Sequence, residues 1–135
     1  MEFIVKSRSA KTKKFVEHIM PKLIKQLGLE NSRKYVYVDV SKSGPGGGNE
    51  GVTMPLPGLD TYVVSIKPGK LEAMGVTLAH EMVHVKQMAR GKLRPVKGFN
   101  IWNGKKYANK TKYLDRPWEI EAFSKQELLF RRAIN

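Results

Sequence analysis

Apolar positions recur along this chain in two rhythms, one helical and one extended. Phe15, Ile19, Leu23 and Leu27 fall four apart, with Val16, Met20 and Ile24 beside them, which predicts a helix from about Ala10 to Leu27. Pro21 either kinks this helix or begins a second one, and Gly28 ends it. Val36, Val38 and Val40 share one face at period two, so Lys34 to Val40 reads as a strand. Thr61 to Ile66 reads as another, stopped by Pro68 and Gly69, and the apolar run Met1 to Val5 as an edge strand or docked terminus. Leu71 to Arg90 is a long helix stopped by Gly91. Asn103-Gly104 between strand-like flanks predicts a hairpin over Phe99 to Tyr107. The last helix opens with Asp115 as N-cap and Pro117 in the first turn, and closes with Arg131 and Arg132. Ser41 to Gly51 is a glycine-rich loop without the Gly-Lys-Ser/Thr ending of a phosphate loop. The sum is an α+β fold in one domain, 1–135, with a small, mostly antiparallel sheet, a central helix, a hairpin and a C-terminal helix.

Composition narrows the chemistry. A chain of 135 residues with 41% apolar content can bury a core without staples. It has no cysteine, which excludes disulfides, thiolate metal sites and cysteine nucleophiles, and which fits a cytoplasmic protein. No apolar run approaches the roughly 20 residues of a membrane span, and the start shows no secretory pattern. Twenty-five Lys and Arg against twelve Asp and Glu leave a net charge of +13, a surface suited to polyanions.

The informative stretch is His80-Glu81-Met82-Val83-His84. Two histidines four apart point the same way from consecutive helical turns and can share one metal ion. Glu81 lies about 100° round from His80, beside the same face, where it can act as a general base on a water. Leu71, Met74, Leu78, Met82 and Val85 cluster on the opposite side, and Val76 and Val83 flank the site face, so the helix is nearly apolar all round and central. Gly75 permits close approach of a neighbour. A catalytic zinc needs a third protein ligand. His18, an Asp or a Glu could supply it; His18 stands on the amphipathic N-terminal helix, outside any zinc spacing. Glu119 and Glu121 stand about 200° apart on the last helix, so one of them can face the metal, and phase favours Glu119, which shares a face with Ala122, Phe123 and Gln126.

The motif followed by Glu119-Ile120-Glu121-Ala122 resembles the gluzincin branch of the zincin metallopeptidases, in particular small single-domain phage and bacterial members and the SprT-like proteases. The resemblance implies a zincin-like fold and a zinc peptidase acting on protein or peptide, with His80, His84 and Glu119 as ligands and Glu81 as base. It places a phage-encoded example in the host cytoplasm. It also implies a donor to the developing oxyanion, for which Tyr113 and Tyr107 are candidates and Tyr113 is assigned. Thr61 to Ile66 would be the sheet edge that pairs with extended substrate. Such families often carry Asp or Asn four residues after the glutamate ligand; Phe123 stands there instead, which keeps Glu121 open as the ligand.

From Lys86 to Arg116 there are ten basic residues and one acid, Asp115, with Trp102, Tyr107 and Tyr113 interleaved. That pattern suits nucleic acid or another polyanion. It supports a competing reading, a basic nucleic-acid-binding protein whose zinc site is structural or degenerate. Glu81 separates the two, because a structural site has no use for it.

Overall fold

The computed structural model describes residues 1–41, 44 and 49–135. Positions 42, 43 and 45–48 of the glycine-rich loop lie outside the described residues. The fold is α+β. The elements run β1 (Glu2–Ser7), α1 (Ala10–Gln26), β2 (Tyr35–Val40), β3 (Gly51–Leu56), β4 (Thr61–Ile66), α2 (Leu71–Ala89), β5 (Leu93–Val96), β6 (Phe99–Trp102), β7 (Lys105–Ala108) and α3 (Pro117–Ile134), with a 3-10 turn Tyr113–Asp115 before α3.

The larger sheet has the order β1-β2-β4-β3. Both inner ladders, β1 with β2 and β2 with β4, are parallel, and only the β3 edge is antiparallel. The small sheet β5-β6-β7 is antiparallel throughout. Antiparallel pairing therefore prevails by number of ladders, while the centre of the larger sheet is parallel, because α1 serves as the crossover between β1 and β2. Period two decides which side is buried. Val5, Val38 and Val64 sit in register across three strands, as do Val36 with Tyr62 and Val40 with Ile66, and all of them are buried. These side chains meet the apolar faces of the helices, Val16, Ile19, Met20 and Leu23 of α1 and Met74, Leu78, Met82 and Val85 of α2, in one hydrophobic core.

Two expectations change. β4 is an inner strand and not a sheet edge; the edges of the larger sheet are β1 and β3. Asp115 does not cap α3: the helix starts one residue later, with Arg116 in the cap position, no side-chain cap bond and Pro117 at N1, while Asp115 belongs to the 3-10 turn. α1 passes unbroken through Pro21, so no second helix begins there, and Ser9 caps it by accepting from the Thr12 amide. Gly28 and Gly91 end α1 and α2 with positive φ. Asn103 and Gly104 both have positive φ, as a two-residue hairpin requires.

α2 and α3 come unusually close at Gly75. A methyl group there would overlap the buried Phe130 ring, so only glycine lets the helices meet at this spacing. That approach sets where the first turn of α3 falls against the middle of α2. No helix among the described residues is long and apolar enough to cross a membrane.

Candidate metal and catalytic centre

α2 presents His80 and His84 from consecutive turns, both buried, their rings edge to face with centroids 4.9 Å apart. Their Nε2 atoms are 3.2 Å apart. Glu119, in the first turn of α3, brings one carboxylate oxygen to 2.8 Å from His80 Nε2 and 2.9 Å from His84 Nε2. Three donor atoms from two helices thus converge on one point.

The outer faces of both rings are held. His84 Nδ1 lies 2.8 Å from Gln87 Oε1. The Gln87 amide nitrogen donates to the Trp118 carbonyl at 3.0 Å and to Glu121 Oε1 at 3.1 Å, which fixes the amide so that its oxygen faces the imidazole. His84 therefore donates from Nδ1, and in the neutral ring Nε2 carries the lone pair. His80 Nδ1 lies 2.8 Å from Gln126 Oε1, and Phe123 packs edge-on to the His80 ring. Phe123 is thus a packing residue, and glutamines from two helices brace the histidines. Glu121 accepts from the Gln87 amide, while Glu119 is the glutamate that meets both histidines.

The point where the three atoms meet demands positive charge. Burial works to raise the Glu119 carboxyl, but the hydrogen bonds from His80 and His84 prevail and hold it at about 2. Burial would lower His84, yet the Glu119 hydrogen bond and charge raise it. A metal cation meets the same demand. Ligands about 2.0–2.2 Å from a tetrahedral zinc stand roughly 3.3 Å apart. The observed separations, 2.8 to 3.2 Å, are within a few tenths of an ångström of that. Two imidazole nitrogens and a carboxylate, with each imidazole braced from behind, are a donor set that fits zinc.

Glu81 is buried beside this cluster, and its ligand atom and those of the two histidines all lie within 4.8 Å of one another. One of its carboxylate oxygens is turned to β3. Thr53 Oγ1, on β3, lies 2.7 Å from Glu81 Oε1 and 3.2 Å from the Glu81 carbonyl. Burial pushes the Glu81 carboxyl up, against the lowering effects of His84 and the Thr53 hydrogen bond. Gly51 leaves the room Glu81 occupies: a Cβ there would stand 2.7 Å from Thr77 Cγ2 and 3.0 Å from Glu81 Oε2. Thr53, and the bracing roles of Gln87 and Gln126, are not among the features the sequence announces. Gln87 follows His84 by three and Gln126 follows Glu119 by seven, spacings that share a helix face, and that was the available signal.

The chain matches no protein-family model, no curated protein and no solved structure at a significant level. The geometry stands by itself.

The Tyr113 hydroxyl donates to Glu119 Oε1 at 3.0 Å, and burial pushes its pKa well up, with the Glu119 charge adding to the effect. Tyr107 instead packs on Trp118, ring centroids 5.5 Å apart. His18 is exposed on α1, 3.2 Å from Lys22 Nζ, and takes no part in the centre. Open space borders the centre on two sides. A cleft of about 290 Å³ reaches from Glu81, His84 and Glu119 to Leu93, Pro95 and Asn100 of the small sheet. A second, of about 280 Å³, lies on the His80 side against Val76, Thr77 and Phe123. Asn49, Gly51, Glu81 and Tyr113 line both, so the two clefts run on either side of Glu81.

Proposed function

We propose that the protein is a zinc-dependent peptidase that hydrolyses peptide bonds of protein or peptide substrates in the cytoplasm. The observation that carries this is the division of labour between two glutamates: Glu119 joins both Nε2 atoms, while Glu81 stands beside them, held by Thr53. A structural site needs the first and has no use for the second.

His80, His84 and Glu119 would hold the zinc. Bound there, zinc supplies a Lewis acid that polarises a carbonyl and brings a water molecule's pKa toward neutrality. Glu81 would take a proton from a water as its oxygen bonds to the substrate carbonyl carbon, and would return that proton to the amine as the C–N bond breaks. Its raised pKa suits both halves of the task, since a carboxylate at its ordinary value is a weak base. Tyr113 stays protonated at neutral pH and offers its hydroxyl to the oxyanion from the junction of the two clefts. β3 is the sheet edge next to the centre, and extended substrate can pair with it across both clefts. Access on either side suits an endopeptidase.

The test is zinc content and cleavage of an unfolded protein such as casein by three variants. Glu81→Gln should keep zinc and lose activity by about 10²–10⁴-fold. Glu119→Ala should lose zinc, and Glu121→Ala should keep one zinc per chain. Undiminished cleavage by Glu81→Gln would sink the mechanism, and zinc loss confined to Glu121→Ala would move the third ligand.

A further inference from the structure

The β5-β6-β7 sheet has two faces of opposite character. Directly opposed residues of an antiparallel ladder share a face. Leu93, Trp102, Lys105, Pro95, Asn100 and Tyr107 therefore look one way, toward Trp118 and the cleft. Arg94, Ile101, Lys106, Val96 and Phe99 look the other way. Trp102 and Tyr107, which the sequence groups with the cations, are thus spent on packing, and the aromatic ring of the outer face is Phe99. Lys106 Nζ sits 4.9 Å from its centroid.

The outer face and its margins are cationic without compensation. Lys92, Arg94, Lys97, Lys106, Lys110 and Lys112 are all exposed, and among the described residues none forms an ion pair with a carboxylate. The only acid between Lys86 and Arg116 is Asp115. Six unpaired cations around a partly exposed strip of Val96, Phe99 and Ile101 combine charge for phosphates with a flat apolar surface for bases. The hairpin tips argue against a lipid surface. They carry Lys97-Gly98 and Asn103-Gly104, with no bulky apolar residue to enter a bilayer.

We propose that the outer face of the β5-β6-β7 sheet binds single-stranded nucleic acid, with Arg94 and Lys106 on phosphates and Phe99 under a base. This does not rest on the peptidase reading, and binding is measured on Glu81→Gln protein so that catalysis plays no part. The probe is a short fluorescein-labelled oligothymidylate followed by anisotropy over a range of salt. Arg94→Glu with Lys106→Glu should weaken binding about 10-fold or more and flatten the salt dependence by about 1.4 in log–log slope, two phosphate contacts at ~0.7 each. Lys13→Glu with Lys14→Glu, equal in charge but on the exposed side of α1, should leave binding nearly unchanged. Phe99→Leu, which keeps the packing and removes the ring, should weaken it about 10-fold. Circular dichroism and melting confirm that each variant is folded. Equal loss from the α1 pair would show diffuse attraction and overturn the proposal. So would tighter binding of a duplex of the same length. Binding of phosphatidylserine–phosphatidylcholine vesicles through the same residues, without binding of the oligonucleotide, would overturn it in favour of a membrane surface.

Discussion

Gln87 is 1% exposed, and its amide makes three contacts at once: His84 Nδ1, the Trp118 carbonyl and Glu121. Gln87→Leu keeps the bulk and removes all three. It leaves a buried imidazole N–H unpaired, at about 1–3 kcal/mol, and takes one donor each from the Glu121 carboxylate and from the Trp118 carbonyl, which keeps its helical partner; the greater hydrophobicity of leucine partly offsets the loss. We expect a net loss of ~1–3 kcal/mol, or several degrees in melting temperature for a domain of this size. That alone would mark only a structural residue. The bracing role predicts a second, separable effect. Without Gln87 the His84 ring can turn and change tautomer, and loss of such a partner typically weakens metal binding about 10–100-fold. At saturating zinc the stabilisation conferred by the metal should then shrink by about 1.4–2.7 kcal/mol. The assay is paired: competition for zinc against a chromogenic chelator, and melting with and without zinc. If Gln87→Leu melts lower by the same amount in both states and keeps its zinc affinity, the bracing argument is refuted. If neither changes, the assigned hydrogen bonds are wrong.

Other substitutions probe other joints of the centre. Thr53→Val removes a donor to the Glu81 carboxylate; that bond favours the charged form, so its loss should raise the Glu81 pKa and move the acid limb of the kcat/KM profile to higher pH. An unmoved limb would mean that Thr53 does not tune the base. Gly75→Ala forces a methyl group into the Phe130 ring and should cost about 1–3 kcal/mol in denaturant unfolding; an unchanged midpoint would deny the close helix contact. Gly51→Ala should leave zinc content intact and reduce turnover, because its methyl crowds Thr77 and Glu81; the measurements are metal analysis and casein cleavage, and wild-type turnover would show that the crowding is relieved.

Much of this was legible along the chain because period and position agreed. The alternation of Val36, Val38 and Val40 and the stripe of α1 survive as buried faces, and Asn103-Gly104 turns the hairpin it announced. β3 went unread. Gly51-Val-Thr-Met-Pro55-Leu does not alternate cleanly and contains a proline, which an edge strand accepts and a central one does not. The parallel centre of the sheet was equally hidden, since strand direction depends on what α1 packs against and not on any local pattern. At the centre, residues with intrinsic chemistry announced themselves. The supporting amides did not, because a glutamine on a helix looks the same whether it faces water or a histidine. Phe123 illustrates the limit: its position suggested a missing brace, while the brace came from Gln126 further along the same helix.

Glu119 follows His84 by 35 positions, and the span between them includes the whole β5-β6-β7 sheet. A metal gripping both ends would therefore act as a clasp on that span, closing a loop whose opening otherwise gains chain entropy. The small sheet touches the rest of the molecule mainly at Leu93 and through Trp118, so it is the segment with most to gain from such closure. Loading the centre would then do more than equip it for chemistry. It would stiffen the wall of the cleft and the cationic surface behind it, so that metal supply governs how well both faces of one thin sheet keep their shape.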